Sequence, residues 1–335
     1  MNVLVTGANG FIGANLVRML LEQGDTVKAL THGSTRSLKG LGIEMAECPL
    51  LDKTALCKAV KGSDLVFHLA SMITLLSKSN PVAENINETG ARNVAEACLE
   101  CGVKRLVHFS SIHAFSPEPK EGIVVESRPL CDRTHPFPYD RSKAAGQRAV
   151  LQVARQGLDV VIIHPTGVMG PYDFGPSHAG KGLLDLYHGS TRVLVAGGFN
   201  WVDVRDVCTG ALSAAQKGRT QENYILSGSP IPLKEMGELV SKLTGCRPPL
   251  MIAPLWLAKM GAQWIELQAK LKNKEPRFSK FTLHTLEHHQ KVSHQKATRE
   301  LGYQPRNFLD TLKNTLEWFS QAGMLHPPVT FSSKK

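Results

Sequence analysis

The sequence predicts an α/β fold, a doubly wound parallel sheet with a smaller, mostly helical C-terminal region. Three observations predict it. Short apolar, β-branched runs alternate with stretches of helical periodicity over about the first 165 residues, the pattern of strands covered on both faces. The first run enters its helix through three glycines, in "TGANGFIG" at 6–13. Hydrophobic content of 42% with 20% charged residues describes a globular chain, and 335 residues are enough to bury a large core.

The elements follow in order. "NVLVTG" (2–7) is a strand running into glycines, and "FIGANLVRMLLEQG" (11–24) is a helix with a glycine stop. "TVKAL" (26–30) and "IEMAE" (43–47) are strands, and Asp52 is placed to cap the next helix. "DLVFHLA" (64–70) is a buried strand, "ENINETGARNVAEACLECG" (84–102) a long helix, and "RLVHFSS" (105–111) a strand. A helix from Tyr139 to about Gln156 and the strand "DVVIIHP" (159–165) close the series. The Gly/Pro-rich "PTGVMGPYDFGPSHAGKG" then breaks the pattern. Short strands near 192–196, 201–204 and 223–227 flank a helix around 205–217, and helices follow near 232–244, 254–273, 279–290, 293–301 and 308–322. This gives a dinucleotide-binding domain over 1–170 to which 192–228 returns, with 171–191 and 229–335 as a substrate-binding lid.

A net charge of +10 invites nucleic acid as a partner. The basic residues are scattered, however, and "KLKNKEPRFSK" (270–280) lacks the aromatic interleaving of a single-strand binder, so no nucleic-acid partner is expected. Seven cysteines and no signal peptide point to reduced thiols and a cytoplasmic protein. Cys98 and Cys101 form a lone C-x-x-C on an amphipathic helix, read as packing thiols. His284 and His288 have metal-ligand spacing without an evident third ligand, so they read as a solvated basic helix and no metal is expected. No apolar run is long enough to span a bilayer. The stretch 250–274 is amphipathic and Trp-bearing, which suits a lid helix better than a membrane-surface one; peripheral membrane contact stays open.

Two motifs carry chemistry. In "TGANGFIG", Gly7, Gly10 and Gly13 permit a tight turn, a close approach of the backbone to a pyrophosphate, and packing of helix on strand; Phe11 and Ile12 open the helix whose N-terminus faces the phosphates. In "YDRSK" (139–143), Tyr139 and Lys143 share a helix face. An ammonium near a phenol lowers a pKa that starts near about 10 and makes the tyrosine a usable general acid. By itself the pair is equally compatible with chance.

The ordered set "TGANGFIG", "HLAS" (68–71), "NETGARNV" (87–94), "HFSS" (108–111), "YDRSK", "HPTGVMGP" (164–171) and "NWVDVRDV" (200–207) resembles the extended short-chain dehydrogenase/reductase family, which includes the NAD-dependent epimerase/dehydratase group. Within it the chain is most similar to bacterial dihydroflavonol-4-reductase-like proteins, and more distantly to 3β-hydroxysteroid dehydrogenases. The resemblance implies a Rossmann fold and a catalytic set: Tyr139 as acid/base, Lys143 as its partner and ribose ligand, and Ser111 hydrogen-bonding the substrate oxygen. Ser110 is the rival serine, expected to face the other side of its strand. The cofactor would also meet Leu69, Ala70 and Ser71 after the fourth strand, Asn87, and Pro165 and Val168 at the end of the sixth.

Departures from the family pattern sharpen the reading. Where members carry Gly-Asp-Leu after the third strand, this chain has "CPL", leaving a backbone contact from Leu50. After the second strand, "ALTHGSTRSLKG" (29–40) has no carboxylate to accept from ribose hydroxyls, but offers His32 and Arg36 to a 2′-phosphate, so NADP(H) is favoured while NAD(H) stays open. Phe199 stands where nucleotide-sugar enzymes tend to carry a diphosphate-binding Arg, and His164 where several carry Asn. With Trp201, Met169 and Phe137, and with Ile112 and His113 beside Ser111, these make an apolar pocket. The expected function is interconversion of a ketone or aldehyde and an alcohol on a hydrophobic small molecule. The alternatives are a nucleotide-sugar epimerase or dehydratase with tightly bound NAD, and a non-catalytic dinucleotide sensor. A homodimer is left open.

Overall fold

The computed structural model describes residues 1–74, 77–262, 279–288 and 290–329. In chain order it contains β1 (Asn2–Thr6), α1 (Phe11–Glu22), β2 (Thr26–Thr31), β3 (Glu44–Glu47), α2 (Lys53–Val60) and β4 (Leu65–His68). Next come α3 (Pro81–Asn85), α4 (Ala91–Glu100), β5 (Arg105–Phe109), α5 (Pro138–Ala154) and β6 (Val160–Pro165). Among the described residues, a seven-stranded sheet has the order β10-β6-β5-β4-β1-β2-β3, all its pairings parallel, with β10 spanning Asn223–Leu226. The direction of winding reverses between β1 and β4, so the crevice beyond the carboxyl ends of these strands is where such sheets bind ligands.

Strand alternation fills both faces. Leu4, Val66, Leu106 and Ile162 point to the side of α2, α4 and α5, while Val5, Phe67, Val107 and Ile163 point to the side of α1. Asp52 caps α2 by accepting from the Ala55 N–H at 2.9 Å, as its position predicts. The long helix expected over 84–102 is instead built of α3 and α4 joined by a π-turn at Ile86–Gly90. The extra residue in that turn presents the backbone of Asn87 to α5, where Gly146 meets it; a β-carbon on Gly146 would stand 2.2 Å from the Asn87 carbonyl oxygen.

Of the 192–228 stretch, helix α7 (Val204–Lys217) packs on α1 and β10 joins the main sheet. β9 (Gly198–Asp203) lies instead in a three-stranded sheet with β7 (Gly167–Met169) and β11 (Ser229–Pro232), and β8 (Val193–Val195) pairs with β12 (Met251–Ala253). A further core joins these sheets to α6 (His178–Tyr187), α8 (Leu233–Thr244) and helix Phe308–Gln321. Of the stretch 250–274, residues 255–262 are helical, with Trp256 and Met260 exposed; 263–274 lie outside the described residues. No described helix is long and apolar enough to cross a membrane. All seven cysteines, including Cys98 and Cys101 on or beside α4, are free thiols.

Candidate active site

The glycine turn sits at the switch point. Gly7 has φ +67° and lies so close to the loop after β4 that a β-carbon would fall 2.8 Å from the Ala70 nitrogen. At Gly13 a β-carbon would fall 2.2 Å from the Gly7 carbonyl. Gly10 begins α1 without a side-chain cap, which leaves the first-turn N–H groups of Phe11 and Ile12 to an anion. This cradle of bare backbone fits a dinucleotide pyrophosphate. Thr6 braces its floor, sharing a hydrogen bond with His68 Nδ1 (2.7 Å) and accepting from the Ala70 N–H. Asn9, which the sequence analysis did not single out, donates to the carbonyls of His32 and Ser34 and so ties the glycine turn to the loop after β2.

In that loop Arg36 is exposed, and His32 is 98% exposed with Nδ1 3.4 Å from a Glu47 carboxylate oxygen. The loop itself lacks a carboxylate, but the end of β3 supplies one beside it. Leu50 packs its side chain on Gly90, and its carbonyl accepts from Asn93 Nδ2. Pro165 ends β6, and Val168, on β7, pairs with Val202.

The three expected catalytic residues come together at the end of β5. Ser111 follows the strand, its Oγ accepting from the His113 N–H at 3.2 Å, and its side chain lies near enough to Tyr139 to favour the ionised phenol. Lys143, one turn along α5 from Tyr139, is buried and donates from Nζ to the Phe109 carbonyl at 2.9 Å. Its ammonium is lowered to about 8 by burial. The expectation that Lys143 lowers the Tyr139 pKa is not met. Burial pushes the phenol up to about 12, Ser111 opposes this, and the Asp140 carboxylate adds to it. Ser110 turns to the helix side, donating to Gln147 Oε1 at 2.9 Å.

Two expected ligand contacts are structural braces instead. Asn87 is consumed within the protein: Oδ1 accepts from the Met72 N–H, and Nδ2 donates to the Met72 carbonyl and to Ser142 Oγ. It fixes the loop after β4, next to Ser71, against α5. His164 is not in a pocket wall. It is fully buried, with Nδ1 2.9 Å from the Ser111 carbonyl oxygen and Nε2 3.1 Å from the Asn223 side-chain amide. Burial lowers it to about 4, so the neutral ring donates to Ser111 and sets that residue's backbone.

The remaining pocket candidates divide. Met169 and Ile112 are buried in cores. Phe199 and Trp201 pack edge to face, and Trp201 closes over Gly167. His113 and Phe137 both meet Phe281 of helix Lys280–Glu287, which also packs edge-on against Tyr139. Phe281 was missed because 142 positions separate it from Tyr139 and no local pattern joins them. His284 and His288, expected on a solvated helix, are instead turned inward. They stack at 3.9 Å, and His284 packs on Phe137 at 4.6 Å and is lowered to about 4 by burial.

The fold and its glycine cradle define the class, the extended short-chain dehydrogenases/reductases, enzymes that work with NAD or NADP. Within that class the chain belongs to the NAD dependent epimerase/dehydratase family, whose model matches residues 3–227. It is 31% identical over 329 residues to sterol demethylase protein B of Methylococcus capsulatus, covering 97% of this chain and 100% of that one. It is also 31% identical over 326 residues to a protein of Synechocystis sp. assigned as a dihydroflavonol 4-reductase, covering 95% and 94%, in line with the resemblance read from the motifs. The crystal structure of gox2253 superposes with a TM-score of 0.84 at 31% identity, over 96% of this chain and 99% of that one.

Proposed function

We propose that the protein interconverts a ketone or aldehyde and an alcohol on a hydrophobic small molecule, with NADP(H) favoured over NAD(H). The observation that carries this reading is that Ser111, Tyr139 and Lys143 meet, among the described residues, under aromatic side chains: Phe281 and Phe137 lie over the tyrosine and its neighbours. The dinucleotide, when bound, supplies or accepts the hydride. In the reducing direction Ser111 orients the substrate oxygen by a hydrogen bond, and Tyr139 gives up its phenolic proton to that oxygen. A phenol pushed up to about 12 is fully protonated at neutral pH, so the donor is loaded before substrate arrives. The Lys143 ammonium, one turn away, faces the negative charge the phenol acquires. The roof helix excludes water from that charge. Gly7, Gly10 and Gly13 hold the pyrophosphate, while His32 and Arg36 meet the ribose end. The substrate-binding division at 171–191 and 229–335 follows the same logic, since those residues supply the roof and its supports. A panel of ketones and aldehydes, followed by reduced-cofactor absorbance, tests the reading. Turnover of apolar carbonyls supports it, and activity confined to nucleotide sugars overturns it.

A further inference from the structure

We propose that Cys131, His135 and Asp140 form a binding site for one zinc-class divalent cation, tying the loop before α5 to the helical turn that carries Tyr139. The site lies outside the reaction just proposed and does not depend on it.

The ligand-capable atoms of these three residues all lie within 4.8 Å of one another, and His135 Nε2 is 3.1 Å from Asp140 Oδ2. Nitrogen, oxygen and sulfur ligands at ordinary zinc distances and a tetrahedral angle stand roughly 3.4–3.6 Å apart. A cation therefore needs adjustments of only about 1 Å in the side chains. A mixed sulfur, nitrogen and oxygen set suits zinc rather than magnesium or calcium, which prefer oxygen alone.

Burial sharpens the case. Asp140 is 0% exposed and Cys131 2%. A carboxylate held away from water needs polar or cationic neighbours, and the imidazoles of His113 and His135 both lie against Asp140. His113 Nδ1 lies 3.1 Å from the other carboxylate oxygen, Oδ1. This arrangement orients a one-toothed carboxylate ligand and leaves Oδ2 for the ion. The scaffold is already fixed at both ends. The Cys131 N–H donates to the Ala114 carbonyl at 2.8 Å, and Asp140 sits in the first turn of α5.

The Cys131 thiol now donates to the Phe115 carbonyl. On metal binding the S–H bond breaks, the proton passes to bulk water and the thiolate sulfur takes the ion. The two charges of the cation are then balanced by one thiolate and one carboxylate, with His135 neutral and water completing the shell. His284 and His288 adjoin the site, the ring of His284 lying 6.3 Å from that of His135, and their Nε2 atoms have no hydrogen-bond partner among the described residues. They are the natural place for adventitious metal and must be controlled for.

The test is titration of chelator-stripped full-length protein with Zn²⁺ by calorimetry, and with Co²⁺ by absorbance. The expected result is one ion per chain with Kd of about 1 μM or tighter, and a thiolate-to-cobalt charge-transfer band in the near ultraviolet. Cys131→Ser should abolish the band, and His135→Ala should weaken binding at least about tenfold. His284→Ala should change neither. Binding that survives Cys131→Ser and His135→Ala, or that is lost on His284→Ala, overturns the proposal. Should either variant fail to fold, the unmodified protein decides alone: cobalt bound without the sulfur band, or no binding at this affinity, also overturns it.

Discussion

Lys143 donates from Nζ to the carbonyl of Phe109 at 2.9 Å, which fixes the ammonium two residues from Ser111 on the strand that ends in the site. The charge is thereby held on the Tyr139 face of α5 but is desolvated, and its pKa is lowered to about 8.

Tyr139→Phe removes one hydroxyl and should lower turnover by roughly 10² to 10⁴ while leaving dinucleotide affinity intact. Lys143→Met should reduce both. Stopped-flow turnover with fluorescence titration of the reduced dinucleotide separates the two effects, and full turnover in Tyr139→Phe would remove that residue from the mechanism.

Because Lys143 loses its proton near pH 8 in the free protein, dinucleotide affinity should decline as pH rises through that value. The slope should vanish in Lys143→Met. Calorimetric titrations between pH 6.5 and about 9.5 read it directly, and a pH-independent affinity in the unmodified protein contradicts it.

His164 governs a second pH effect. Its folded pKa, about 4, lies below the unfolded value near about 6.5, so the unfolded chain binds the extra proton. His68, lowered to about 3, behaves alike. Their contributions are present in full above about pH 6.5 and are lost progressively as pH falls toward the folded values. Urea midpoints should be level near neutrality and drop below that pH, with a shallower drop in His164→Gln. The same variant should cost about 1–3 kcal/mol at pH 7, since the buried Ser111 carbonyl loses the N–H that His164 Nδ1 supplies.

Cofactor choice turns on the loop after β2. An Arg36–phosphate pair, if formed with the 2′-phosphate as proposed, would contribute about 1.5–3 kcal/mol, roughly ten- to a hundredfold. Glu47 beside His32 opposes it. NADPH should bind more tightly than NADH, Arg36→Ala should narrow the gap by weakening NADPH, and Glu47→Gln should widen it. Equal dissociation constants in the unmodified protein would end this argument.

Nucleotide sugars should bind poorly, because Phe199 offers no cation to a buried diphosphate. Calorimetry showing micromolar binding of UDP or dTDP would favour the epimerase alternative instead.

The sheet was legible because most of its strands announce themselves locally, by apolar, β-branched runs ending at glycine, proline or polar residues. The glycine cradle was legible for the same reason: its three glycines and their helix are contiguous. His164 and Asn87 were misread because their roles are set by partners elsewhere in the chain. His164 faces Asn223, 59 positions on, and Asn87 faces Ser142, 55 positions on. Asp140 stood inside the quoted "YDRSK" yet carried no signal, since the imidazoles it holds lie in a loop and a short turn without periodicity. Glu47 could be placed beside His32 only once the pairing of β2 with β3 was known.

Gly146, pressed against the backbone of Asn87, makes the helix of the proton donor and the π-turn behind it one solid block. A side chain there would pry the two apart, so the alignment of Tyr139 with the strand ends is settled when the chain folds, before any ligand arrives. Docking then need not assemble the machinery. Phe281 and its helix, which cover Tyr139, come from a separate part of the chain. Substitutions in that helix would therefore reshape the roof over Tyr139 without shifting the block beneath it.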